Sequence, residues 1–195
     1  FKNSFFGLLF GVVLSIGCTS ANAEKLGQVL TYMPDKTQRG NVALLDSKNS
    51  RVIELDGGGT VVWQTKFPEF FKSGDWNRGA DIEWLADSDT FLIAVPMAGF
   101  FEIDRTGNIL TQCKSAFISH DVDKLDDGSF IFVNGWDDKG KEETVVTFMD
   151  QNCKILWSKK AKFFGIKEAD LQPHYANDKA HLHTNSIRLL RDGSY

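Results

Sequence analysis

The chain has 195 residues, of which 42% are hydrophobic and 12% aromatic, and a formal net charge of −4. Its five Trp and sixteen Phe are enough to fill a packed core, the usual place for such side chains. No basic stripe runs along the sequence, so a nucleic-acid partner is not expected.

The first 23 residues read as an export signal. Lys2 precedes the apolar run Phe5–Ile16, and Ala21-Asn22-Ala23 supplies the small-x-small pattern of a cleavage site. Cleavage there leaves Glu24 as the new N-terminus and residues 24–195 as the folded domain. The apolar run is short for a membrane span, which needs about 20 residues. Cys18, in Leu14-Ser15-Ile16-Gly17-Cys18, offers a lipid anchor as the lesser alternative, because Ser15 stands where such signals carry an aliphatic residue. The expected destination is a bacterial periplasm.

Beyond the signal the chain repeats. Asp56-Gly57-Gly58-Gly59-Thr60-Val61-Val62-Trp63, Asp104-Arg105-Thr106-Gly107-Asn108-Ile109-Leu110-Thr111 and Asp150-Gln151-Asn152-Cys153-Lys154-Ile155-Leu156-Trp157 share one pattern. Asp hydrogen-bonds its local backbone and Gly takes a positive φ, so each copy predicts a hairpin turn. Runs rich in β-branched and aromatic residues lead into these turns: Arg51–Leu55, Phe100–Ile103 and Thr144–Met149. A second pattern runs out of phase with the first, in Ala80–Leu85, His120–Leu125 and Asn185–Leu190, each followed by a turn such as Asp126-Asp127-Gly128. Two hairpins per repeat make a four-stranded sheet. The expected fold is therefore all-β, a β-propeller with four-stranded blades. About three repeats are present and the last strand stops at Tyr195, so the chain reads as the N-terminal fragment of a propeller.

Cys113 and Cys153 remain after the signal, and an exported protein can oxidise them. Cys153 falls in a turn, while Cys113 comes just after the matching strand of the preceding repeat. That register favours two separate thiols over a bond.

All four histidines lie between positions 120 and 183. His120 opens the second pattern of its repeat, and Asn185 holds the equivalent place in the next. In a propeller the strand after each crossover is innermost, so residues at its start converge on the mouth of the central channel. His181, His183 and Asn185 alternate and would share one face of an extended stretch. A histidine at a strand start can equally serve to hydrogen-bond a neighbouring backbone. No carboxylate or cysteine at zinc-ligand spacing accompanies the histidines, so no metal site is expected, and few acidic positions are expected near the channel. His174 has no motif around it. The interval from Asp121 to Ser186 is longer than that from Asp81 to Asp121, and its additional residues, mainly 164–179, form a loop able to cover a ligand.

At these residues the chain resembles the bacterial arylsulfotransferase family of periplasmic six-bladed propellers. His120-Asp121-Val122 followed by Leu125-x-x-Gly128 is similar to the family's His-Asp segment. His183-Thr184-Asn185-Ser186-Ile187 followed by Asp192-Gly193 is similar to its His-x-Asn-Ser segment. The resemblance implies transfer of a sulfuryl group from an aryl sulfate donor to a phenolic acceptor, with no nucleotide and no cofactor, through a sulfated histidine. It implies that His120 and His183 act in catalysis, with Asn185, His181 and Asp121 at the substrate. The family often has a second His before the His-Asp pair, where this chain has Ser119. Its nucleophilic His and a following Arg are expected beyond Tyr195. Two other readings compete: a non-catalytic exported propeller that binds a protein or small ligand, and a quinone-dependent dehydrogenase.

Overall fold

A computed structural model describes residues 40–46, 49–67, 79–135, 144–165 and 184–188. The export signal, His174, His181, His183 and the 166–179 part of the long interval lie outside these residues.

Among the described residues, eleven strands form three antiparallel sheets. The first holds β1 (Val42–Asp46), β2 (Arg51–Leu55) and β3 (Val61–Lys66). The second runs in chain order through β4 (Asp81–Leu85), β5 (Thr90–Val95), β6 (Gly99–Asp104) and β7 (Ile109–Lys114). The third does the same through β8 (Ile118–Lys124), β9 (Phe130–Asn134), β10 (Thr144–Met149) and β11 (Ile155–Lys160). A short 3₁₀ turn, Ala161–Phe164, follows β11. The fold is all-β, built from successive blades of up to four strands. The segment 184–188, expected to open another strand, has no strand hydrogen bonding among the described residues.

The repeated Asp builds each outer hairpin in the same way. Asp56 Oδ1 accepts the amides of Gly58 at 2.8 Å and Thr60 at 2.9 Å. Asp104 Oδ1 accepts those of Thr106 and Asn108, and Asp150 Oδ1 those of Asn152 and Lys154. One carboxylate oxygen thus satisfies two turn amides that strand pairing leaves without a partner. Hydrogen bonds, first from the Thr106 hydroxyl and then from the Asn108 amide, hold the Asp104 carboxyl down at about 2. The fourth residue of each turn is left-handed: Gly59 at φ 77°, Gly107 at 90° and Cys153 at 64°.

The blades stack because their middle strands are apolar on both faces. All six residues of β5 are buried. Phe91, Ile93 and Val95 face the first blade, joined by Phe101 and Ile103 of β6, while Leu92, Ala94 and Phe100 face the third. This is the period of two expected of a strand covered on both sides. Trp63 stacks on Phe91 across the first interface, with ring centroids 5.0 Å apart. Phe100 meets Phe130 at 4.7 Å across the second. Equivalent glutamates on β2 and β6 each take a cation from the following blade. Glu54 bonds Arg105, which also lies over Trp63, and buried Glu102 bonds Lys124 Nζ at 2.7 Å. Thr90 Oγ1 donates to the other Glu102 oxygen, so the buried carboxylate is partnered at both.

The cysteines are bonded, contrary to the sequence expectation. Cys113 and Cys153 lie at a Cα–Cα distance of 5.3 Å with sulfurs in covalent contact. The reason is that β7 continues to Lys114, so Cys113 sits inside the strand. The outer turn of each blade also leans on the outer strand of the preceding one. The first interface repeats this contact without a bond. Thr65 is the counterpart of Cys113 and Gly107 that of Cys153, and a Cβ on Gly107 would lie 4.0 Å from Thr65 Cβ. That is the Cβ spacing of a disulfide.

The repeat therefore predicts a second staple. The pair Thr65→Cys and Gly107→Cys should oxidise spontaneously in air. Closing the loop favours the fold by ~4 kcal/mol in the chain-entropy account, and a side chain at a left-handed position offsets about 1–2 kcal/mol. A net gain of roughly 2 kcal/mol is expected in denaturant unfolding. Two additional thiols reacting with an alkylating reagent in the folded protein would contradict the shared geometry.

Candidate functional site

The starts of β4 and β8 are adjacent, and candidate residues lie on them. His120, near the start of β8, places Nδ1 2.8 Å from the carbonyl oxygen of Gly79, two residues before β4. A carbonyl can only accept, so Nδ1 carries the proton. In the neutral imidazole the lone pair then resides on Nε2. Gly79 is at φ 81°, and a Cβ there would lie 3.2 Å from both Cε1 and Nδ1 of the ring. The chain thus puts a glycine where the backbone turns left-handed and where the imidazole needs the space.

Asp121, the next residue, makes a longer connection. Its Oδ2 accepts the amide of Ile187 at 2.7 Å, tying β8 to the segment that contains Asn185. This joins the His-Asp and His-x-Asn-Ser motifs, which are 66 residues apart at these two positions. Asn185 is exposed and Ile187 half-buried. Burial pushes the Asp121 carboxyl up, opposed by the Ile187 hydrogen bond and assisted by the neighbouring Asp81. Of the five candidate residues, the described structure places His120, Asp121 and Asn185. His181 and His183 lie outside it.

A carboxylate face accompanies the histidine, where few acidic positions were expected. Asp81 and Glu83 on β4 and Asp121 and Asp123 on β8 occupy equivalent alternate positions of two inner strands. Partial removal from water, followed by the charges of Asp123, Asp121 and Asp81, pushes Glu83 up to about 7. Asp-x-Glu in one repeat and Asp-x-Asp in the next were visible in the sequence. Alternation on one face of an inner strand was the signal that could have found them. Beside them an open groove of about 490 Å³ is lined by Glu83, Asp123, Lys124, Asp126, Asp127 and Arg188. Among the described residues, no group of three or more His, Cys, Asp or Glu is arranged to hold a metal ion. No helix among them is long and apolar enough to cross a membrane.

No protein-family model matches the chain, and no curated protein matches it. Among solved structures it is similar to a protein of unknown function from Bacteroides caccae, at 17% identity and a TM-score of 0.45, over 65% of this chain and 48% of that one. It is also similar to a candidate exported protein from Bacteroides fragilis NCTC 9343, at 13% identity and a TM-score of 0.42, over 71% of this chain and 38% of that one. The match spans less than half the length of either.

The crowded carboxylates make stability depend on pH. Between the ordinary Glu value of 4.5 and about 7, folded Glu83 keeps a proton that the unfolded chain has released. Its favourable contribution is complete below 4.5 and is lost as pH rises to about 7. Glu83→Gln should therefore raise the unfolding midpoint above that of the wild type at pH 8 and match it near pH 4. Thermal unfolding across that range checks this, and parallel curves for the two proteins would refute it.

Proposed function

We propose that the protein is exported to the periplasm and, in its complete form, transfers a sulfuryl group from a phenolic sulfate ester to a phenol without a nucleotide donor. The observation that carries this reading is the fixed orientation of His120. With Nδ1–H held by the Gly79 carbonyl, Nε2 is the nitrogen left to meet a substrate. Export is supported by Lys2, the Phe5–Ile16 run and Ala21-Asn22-Ala23. It is further supported by the Cys113–Cys153 bond, which suits an oxidising compartment.

The transfer has two steps. In the first, a nucleophilic histidine forms a nitrogen–sulfur bond as the ester oxygen–sulfur bond breaks, and the departing phenolate takes up a proton. In the second, the acceptor phenol loses its proton as its oxygen bonds sulfur and the nitrogen–sulfur bond breaks. Neutral His120 accepts a proton at Nε2, and protonated His120 donates there to a sulfuryl oxygen. His183 shares this work, and Asn185 and His181 contribute hydrogen bonds around the sulfuryl group.

A second reading draws on the carboxylate face. Asp81, Glu83, Asp121 and Asp123 repel an anionic ester and would favour a cationic ligand bound without chemistry. One experiment separates the two. The complete exported protein is mixed with a chromogenic aryl sulfate and a phenol, with no nucleotide present. Transfer predicts phenol release that depends on the acceptor and falls about 10²–10⁴-fold in His120→Ala and in His183→Ala. A folded, complete protein that turns over none of several donors would leave the binding reading in its place.

A further inference from the structure

The Asp121 carboxylate was expected to meet substrate, but its Oδ2 is already engaged with a backbone amide from a distant part of the chain. We infer that Asp121 is a positioning residue, which holds the Thr184–Arg188 segment against β8 and so sets where Asn185 stands relative to His120. Resting on the transfer reading, this inference assigns one residue of that site a different role.

Three features support it. First, the segment 184–188 has no strand ladder among the described residues, so the 2.7 Å bond from Ile187 to Asp121 is a specific tie for that stretch of chain. Second, Asp121 immediately follows His120, whose ring is fixed on Gly79. The backbone from 120 to 121 therefore joins two anchored points, one to the preceding blade and one to the following segment. Third, Asn185 is only two residues before Ile187 in the same short segment. A shift of the Ile187 amide would move Asn185 with it, and displacements of about 1 Å in a reacting constellation cost on the order of 10²-fold in rate.

A carboxylate that holds an amide can be replaced by a carboxamide whose oxygen accepts the same bond, whereas one that acts by charge cannot. The complete exported protein, Asp121→Asn and Asp121→Ala should therefore be compared by aryl sulfate turnover and by the NMR signal of the Ile187 amide. For Asp121→Ala, kcat should fall about tenfold or more with KM for the donor little changed. Its Ile187 amide should shift and exchange faster with solvent. Asp121→Asn should keep kcat within about threefold and leave that amide close to its wild-type position. Equal loss of activity in both variants with an unmoved amide would overturn the inference and give Asp121 a direct electrostatic role. If the wild-type protein shows no turnover, the transfer reading falls, and the amide alone decides the positioning role. A shift confined to Asp121→Ala supports it, and no shift in either variant overturns it.

Discussion

The structure depends on burial of both faces of its middle strands. A β5 strand whose six residues are all buried cannot be stable in an isolated sheet. It has to be covered by one blade through Phe91, Ile93 and Val95, and by another through Leu92 and Ala94. The hydrophobic effect is non-directional, so by itself it would allow the blades to slide. Register between blades comes from the polar and covalent contacts at the rim of that core. Glu54 with Arg105, Glu102 with Lys124, and Cys113 with Cys153 each connect one blade to the next.

Most of the fold was legible because the repeat is written in residues with strict backbone demands. An Asp that caps two amides, followed by a left-handed residue, fixes a hairpin wherever it occurs. Arg51–Leu55 and Thr144–Met149 emerged as strands with the expected ends. Cys153 was harder to read because it occupies the left-handed position that glycine holds in the other two repeats. Its partner was hidden by the offset between adjacent blades, a relation between sheets that a linear pattern does not carry. Segment 184–188 was read as the start of a strand on its similarity to 120–125. In the structure its Ile187 amide bonds a side chain, the Asp121 carboxylate.

The candidate site was legible only in part. That the starts of inner strands lie near one another follows from the repeat, and His120 beside Gly79 accords with it. The consequence for chemistry was not visible. The expectation that a strand-start histidine can simply bond a neighbouring backbone and the expectation that it serves a substrate are compatible here. The backbone bond uses Nδ1 and leaves Nε2. The carboxylate face was missed because Asp81, Glu83 and Asp123 were read as parts of hairpins, and Asp121 singly as a residue at the substrate, rather than together as one surface. Partial removal from water, assisted by the charge of that face, pushes Glu83 up to about 7, and the same charge resists an anionic ligand.

The account rests most directly on which nitrogen of His120 carries the proton, because that decides what the imidazole presents to a ligand. The direct measurement is the ¹⁵N NMR spectrum of the His120 ring, recorded with the ring in its neutral form. The account predicts one tautomer, with Nδ1 protonated and Nε2 showing the shift of a bare ring nitrogen, and loss of that preference when Gly79→Ala displaces the ring. A spectrum in which Nε2 carries the proton, or in which the two nitrogens exchange it evenly, would contradict it.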